Sequence, residues 1–144
     1  MYQLELEREF NVPVEKLFEF WIKPELMQRW FAPGNMTVHD ASAELNADGK
    51  YRVVMNDPDD DTQHIVGGTY KVIETNKRLV FTWQWDGSPV ATLVDLLFTE
   101  LSDSRSKLML KHSEFSDQES CDKHRQGWNG CLVNLGKTLT RGDV

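Results

Sequence analysis

Ser116-Asp117-Gln118-Glu119 opens the stretch that decides the architecture, and Trp128, Leu132, Leu135 and Leu139 continue it toward Thr140. The opening four residues match a capping box. Ser116 is placed to accept from the Glu119 N–H while the Glu119 side chain reaches back. The four apolar residues fall at i, i+4, i+7 and i+11, one continuous stripe on a helix. A helix of roughly 24 residues is about 36 Å long, enough to cross a small domain. Such a helix must bury its stripe against something large.

The rest of the chain supplies a sheet. Gln3 to Phe10 alternates with period two and reads as a strand with Leu4, Leu6 and Phe10 on its apolar side. Pro13 suits a first helical turn, and Val14, Leu17, Phe18 and Trp21 follow at helical spacing. Pro24 ends that helix and starts a second, short one carrying Leu26, Met27 and Trp30. After the turn Ala32-Pro33-Gly34-Asn35 come strand-like runs near 36–46, 49–56, 63–75, 78–86, 91–101 and 105–115. Short polar breaks such as Asp48-Gly49 and Asn76-Lys77 separate them, which favours sequential antiparallel hairpins. Gly67 and Gly68 interrupt a strand run, so a bend or bulge is expected there.

This order predicts one α+β domain over residues 1–144: a curved antiparallel sheet of about seven strands wrapped around the C-terminal helix, with two short helices after the first strand. Leu79, Phe81, Trp83 and Trp85 share one strand face, and Tyr51, Val53 and Met55 share another. Side chains of this size predict an apolar cavity under the helix. Gly127, Gly130 and Gly136 in the helix cost about 1 kcal/mol each against alanine, which close approach by the sheet or a ligand explains. The expected lining is Trp30, Tyr51, Val53, Met55, Trp83, His112, Trp128 and Leu132.

Composition narrows the partners. The chain has 40% hydrophobic and 27% charged residues, an ordinary soluble composition. A net charge of −7 repels phosphate backbones and anionic bilayers, so nucleic acid is not expected as a partner. No apolar run approaches the roughly 20 residues of a membrane span, and the N-terminus lacks a signal-peptide pattern. A cytoplasmic location is the expectation. Cys121 and Cys131 stand about 15 Å apart along the helix, too far for a disulfide, and are expected to be buried thiols.

The residues also resemble a known family. Lys23-Pro24-Glu25-Leu26, Trp30-Phe31-Ala32-Pro33-Gly34, Gly49-Lys50-Tyr51-Arg52, Gly68-Thr69-Tyr70, Arg78-Leu79-Val80-Phe81-Thr82-Trp83 and Gly127-Trp128 resemble the Aha-type family. That family takes its name from the C-terminal domain of an activator of a heat-shock chaperone ATPase and belongs to the START-like superfamily. The resemblance implies the helix-grip fold and a cavity for lipids, sterols, hormones or polyketides. It leaves open a protein-interaction role as a chaperone cofactor, contact with a second copy of the chain, and a cavity enzyme of cyclase or hydrolase type. Where the family pattern has paired glycines, this chain reads Asp48-Gly49.

Chemical motifs are sparse. His112 shares strand parity with Leu108 and Leu110, so it faces inward as either a ligand-orienting group or a hydrogen-bonded structural histidine. Asp57, Asp59 and Asp61 mimic a calcium loop, but Thr62 and Gly68 occupy the positions that need glycine and glutamate. No phosphate loop or nucleophile elbow is present, so no cofactor or metal is expected. His124 is one turn from Cys121, yet nothing supplies an oxyanion hole. Asp95, opposite in parity to Val94 and Leu96, is either on the solvent face or a buried acid with a partner.

Overall fold

The computed structural model describes residues 2–140; Met1 and residues 141–144, the ends of the expected domain, lie outside the described residues. The elements are β1 (Tyr2–Phe10), α1 (Val14–Ile22), α2 (Pro24–Met27), β2 (Thr37–Ala43), β3 (Lys50–Asp57), β4 (Thr62–Glu74), β5 (Arg78–Trp85), β6 (Thr92–Ser102), β7 (Arg105–Phe115) and α3 (Gln118–Thr140). The seven strands form one sheet in the order β1-β7-β6-β5-β4-β3-β2, every neighbouring pair antiparallel. This is the helix-grip arrangement, with α3 lying across the concave face and packed most closely on β1 and β7.

Strand parity sets the inner face. Leu4, His112, Val94, Phe81 and Tyr70 sit opposite one another across five strands, and all are buried. Each fully buried leucine or phenylalanine of this kind contributes about 1.5–3 kcal/mol relative to exposure. Asp95 falls on the outer face, where its carboxylate takes two hydrogen bonds from Arg78, at 3.1 and 2.8 Å. That diagonal pair raises the Arg78 pKa through the hydrogen bond and the adjacent charge.

Proline places the helical breaks. Lys23 is extended (φ −96°, ψ 118°), as a residue before proline prefers, and α2 starts at Pro24. The short helix stops at Met27, so Trp30 lies in the turn beyond it rather than in the expected helix. Its indole N–H donates to the Phe20 carbonyl at 2.9 Å, which fixes the turn against α1.

Two local expectations need correction. The cap of α3 is Asp117, not Ser116: its carboxylate accepts from the Ser120 N–H at 2.7 Å. Both residue types cap well, and the one-residue choice follows from where the chain leaves β7. The sheet irregularity near Gly67 and Gly68 falls later, between Tyr70 and Val72. Gly68 instead permits close approach, since a Cβ there would lie 1.9 Å from the Thr82 carbonyl oxygen. That carbonyl is held by the Tyr51 hydroxyl at 2.6 Å, while the Thr82 hydroxyl accepts from the Thr69 N–H at 2.8 Å. Asp48, where the family pattern has a glycine, adopts a left-handed conformation at φ 63°, one that aspartate tolerates.

The large aromatic side chains do interdigitate. Trp21 meets Trp30 at 4.5 Å between ring centroids, Trp30 meets Phe31 at 4.7 Å, and Trp83 meets Trp128 at 5.0 Å. The tilted and edge-to-face geometries of these contacts fill the centre of the grip. The cavity is therefore displaced to one end of the helix.

Candidate functional site

A cavity of about 390 Å³ lies between the first half of α3 and strands β3, β4 and β5. Its walls are almost wholly apolar. Trp83 and Trp85 come from β5 and Met55 from β3; Trp128, Gly127 and Cys131 come from α3. Pro33 and Met36, from the loop after α2, close another side. His64 and Lys123, both exposed, and the half-buried His124 complete the lining. A larger hollow of about 690 Å³ runs past Lys50, Arg52 and Gln84, but these are exposed polar side chains. The smaller, apolar cavity is the better match to a small-molecule site.

Three of the eight residues expected to line the cavity do so: Met55, Trp83 and Trp128. The other five do not border it. Trp30 touches only a separate hollow of about 130 Å³. Tyr51 and Val53 face inward as strand parity required, and Leu132 as its helical stripe required, but they sit in the packed core. His112 is fully buried behind Trp128. Inward parity identifies the core face; it does not say where the helix stands off from the sheet.

Residues missed by the sequence reading had weak signals. Cys131 follows Trp128 by three positions and His124 precedes it by four, both on the same helical flank. Trp85 shares the parity of Trp83. Pro33, Met36, His64 and Lys123 had no periodic signal, because loop and strand ends form the mouth.

Two histidine–tryptophan pairs back the cavity. The Trp128 indole N–H donates to Nδ1 of His112 at 2.9 Å. An indole N–H only donates, so Nδ1 is the acceptor and the proton sits on Nε2. Nε2 then donates to the Thr92 hydroxyl at 2.6 Å, and that hydroxyl donates to the Trp83 carbonyl at 3.2 Å. The second pair has the opposite tautomer. Trp85 donates to Nε2 of His124 at 3.0 Å, so Nδ1–H donates to the Ser120 carbonyl at 2.8 Å. Burial, with the neighbouring His124, pushes the His112 pKa down to about 2. Burial also lowers that of His124, against the opposing Ser120 hydrogen bond. Both imidazoles are neutral, and every ring nitrogen is engaged.

The thiols are equally quiet. Burial pushes the Cys131 thiol up to about 12, and burial raises that of Cys121 as well. Neither is poised as a thiolate, and His124 is committed to Ser120 and Trp85 rather than to Cys121. Among the described residues no group of three or more His, Cys, Asp or Glu is placed to hold a metal ion. Nor is any helix among them long and apolar enough to cross a membrane.

A curved antiparallel sheet gripping a long C-terminal helix, with an apolar cavity at one end, defines a START-like protein. Residues 11–140 match the family model described as Activator of Hsp90 ATPase homolog 1-like protein, and the chain belongs to that family. Among solved structures it is similar to an AHSA1 protein from Silicibacter pomeroyi, at 26% identity and TM-score 0.84, covering 96% of this chain and 98% of that one. A protein from Nitrosomonas europaea matches at 23% identity and TM-score 0.80, over 96% and 94% of the two chains. DynU16, a protein in the dynemicin biosynthetic locus, matches at 18% identity and TM-score 0.80, over 97% of this chain and 48% of that one. No match is found among curated proteins.

Proposed function

We propose that this protein binds a small, mostly apolar molecule, lipid-like, sterol-like or polyketide-like, in the cavity between α3 and the sheet. The observation that carries the reading is the apolar cavity of about 390 Å³ walled by Trp83, Trp85, Trp128, Met36 and Met55. Burying a ligand there gains roughly 25 cal/mol per Å² of apolar surface. Thioethers adapt to the outline of a ligand and make favourable contacts with aromatic rings. Trp128 anchors the wall, because its N–H is tied to His112. A small-molecule ligand accords with the place of the similarly folded DynU16 in a biosynthetic locus. The protein acts as one domain in the cytoplasm, with no nucleic-acid partner. No specific observation favours a chaperone-cofactor role or a cavity enzyme.

The test is a titration with N-phenyl-1-naphthylamine, a neutral probe that fluoresces in dry surroundings, with native mass spectrometry of the gently purified protein alongside. Saturable binding of one probe per chain is expected, and any small molecule that co-purifies should compete with it. A folded protein that neither binds the probe nor carries a small molecule contradicts the reading.

A further inference from the structure

The lining of the 390 Å³ cavity differs between its interior and its mouth. Inside, the polar atoms are already engaged. The Trp85 and Trp128 indole N–H groups donate to His124 and His112, whose other ring nitrogens meet Ser120 and Thr92. The Trp83 indole nitrogen is buried and presents no surface to a ligand. The Cys131 thiol stays protonated, because burial pushes its pKa up to about 12. An interior of this kind offers a ligand apolar contact.

The mouth carries the polar groups that remain, His64 on β4 and Lys123 on α3, both exposed. No aspartate or glutamate is among the described residues that line the cavity, although the chain has 23 acidic residues against 16 lysines and arginines. Lys123 pairs with Glu119 at 3.1 Å, one turn back along the helix. Both side chains of that pair stand in solvent, where such a pair contributes little, so the ammonium is easily redirected.

His64 is oriented by a chain of hydrogen bonds. The Thr62 hydroxyl donates to the Asp60 carboxylate at 2.6 Å, so toward His64 it can only accept. His64 Nε2–H therefore donates to Thr62 at 3.2 Å. Nδ1 has no hydrogen-bond partner among the described residues. A carboxylic acid matches that nitrogen in either protonation state. The acid O–H donates to a neutral Nδ1, and a protonated Nδ1–H donates to the carboxylate. The Lys123 ammonium supplies the compensating charge. A phosphate head would bring a second negative charge to a chain of net charge −7, with no second ammonium in the described lining.

We propose that the ligand is an amphipathic carboxylic acid, with its apolar body between the tryptophans of the cavity and its head at the mouth, held by Lys123 and His64. This rests on the cavity reading and specifies its ligand class. The head keeps contact with water, so it escapes the desolvation cost that a carboxylate inside the cavity would meet.

Decanoate and 1-decanol, each competing with N-phenyl-1-naphthylamine at pH 7 and low salt, test this. They share one chain length and differ at the head. The neutral alcohol leaves water more readily than the carboxylate, so a purely apolar site prefers decanol. With the head held at the mouth, decanoate binds about fivefold more tightly than decanol. The ratio of the two affinities is taken within each variant, so a general change in affinity cancels. Lys123→Gln and His64→Gln each reduce that ratio, and the double variant reverses it. Lys123→Arg keeps it, and Glu119→Gln, which releases Lys123, raises it. Tighter binding of decanol to the unaltered protein, or a decanoate preference that survives in the double variant, overturns the proposal, while displacement of the probe keeps the cavity reading. Failure of the probe and of both chains to bind overturns the cavity reading, and this one with it.

Discussion

The two halves of α3 present the same stripe to different surroundings. Gly127, Cys131, Asn134 and Thr138 fall at i, i+4, i+7 and i+11, so they share one flank of the helix. In the second half that flank is filled. The Asn134 amide donates to the Ala32 carbonyl at 2.7 Å, and the Thr138 hydroxyl lies 3.4 Å from the Arg29 carbonyl. A Cβ on Gly130 would sit 3.1 Å from Pro33 Cβ. In the first half the flank is open: a Cβ on Gly127 would meet nothing within 4 Å, and Gly127 and Cys131 border the cavity. One helix thus serves as a structural pillar at one end and as a cavity wall at the other. The segment 29–34 decides which, because it ends its contact with the helix near Gly130.

The largest effect should come from the filled half. Leu135, 0% exposed, packs into the core, so Leu135→Ala is expected to cost about 2–5 kcal/mol in urea unfolding. A cost below 1 kcal/mol would mean that the second half is not the solid one.

Acid should act next, through the open half. The unfolded histidines titrate near 6.5, whereas folded His112 resists protonation down to about 2. Below pH 6.5 the unfolded chain binds protons that the folded chain refuses. Stability is therefore full above about pH 7 and falls as pH drops, by about 2 kcal/mol at pH 5 from His112 alone. The lowered pKa of His124 adds in the same direction. Denaturant midpoints from pH 7.5 to 5 check this, and His112→Asn should flatten the slope. A midpoint independent of pH over that range contradicts neutral, engaged imidazoles.

At the start of the helix, Asp117→Ala should cost about 0.5–2 kcal/mol, with Ser116→Ala costing less. A larger loss from Ser116→Ala than from Asp117→Ala would restore the cap to Ser116. The smallest effect is a pair of opposite signs. Gly127→Ala should stabilise by about 1 kcal/mol, while Gly130→Ala gains less or loses, since Pro33 must shift. Thermal midpoints of the two variants measured together would settle that sign.

Much of the fold was legible because hydrophobic period and turn residues agree. All seven strands lie within a few residues of the runs read from alternation, and α3 carries its apolar stripe through to Thr140, the last described residue. The inward parity of His112 and the outward parity of Asp95 follow from the same period. The site was less legible for a physical reason. Val53 and Met55 share strand parity, yet only Met55 reaches the cavity, because the helix leaves the sheet at that end. The separation of two layers is a tertiary quantity with no period of its own. Trp30 was misplaced for a different reason: its spacing from Met27 suits a helix, but Pro24 begins one that lasts a single turn.

The most direct test of the open half is Gly127→Phe. Its ring would enter the cavity from the helix flank, where the Cβ has clear space. The unaltered protein should bind N-phenyl-1-naphthylamine at a single saturable site. Gly127→Phe should unfold at an equal or higher temperature and lose that binding by at least about tenfold. Undiminished probe affinity in a folded Gly127→Phe variant would contradict the placement of the ligand between α3 and β5.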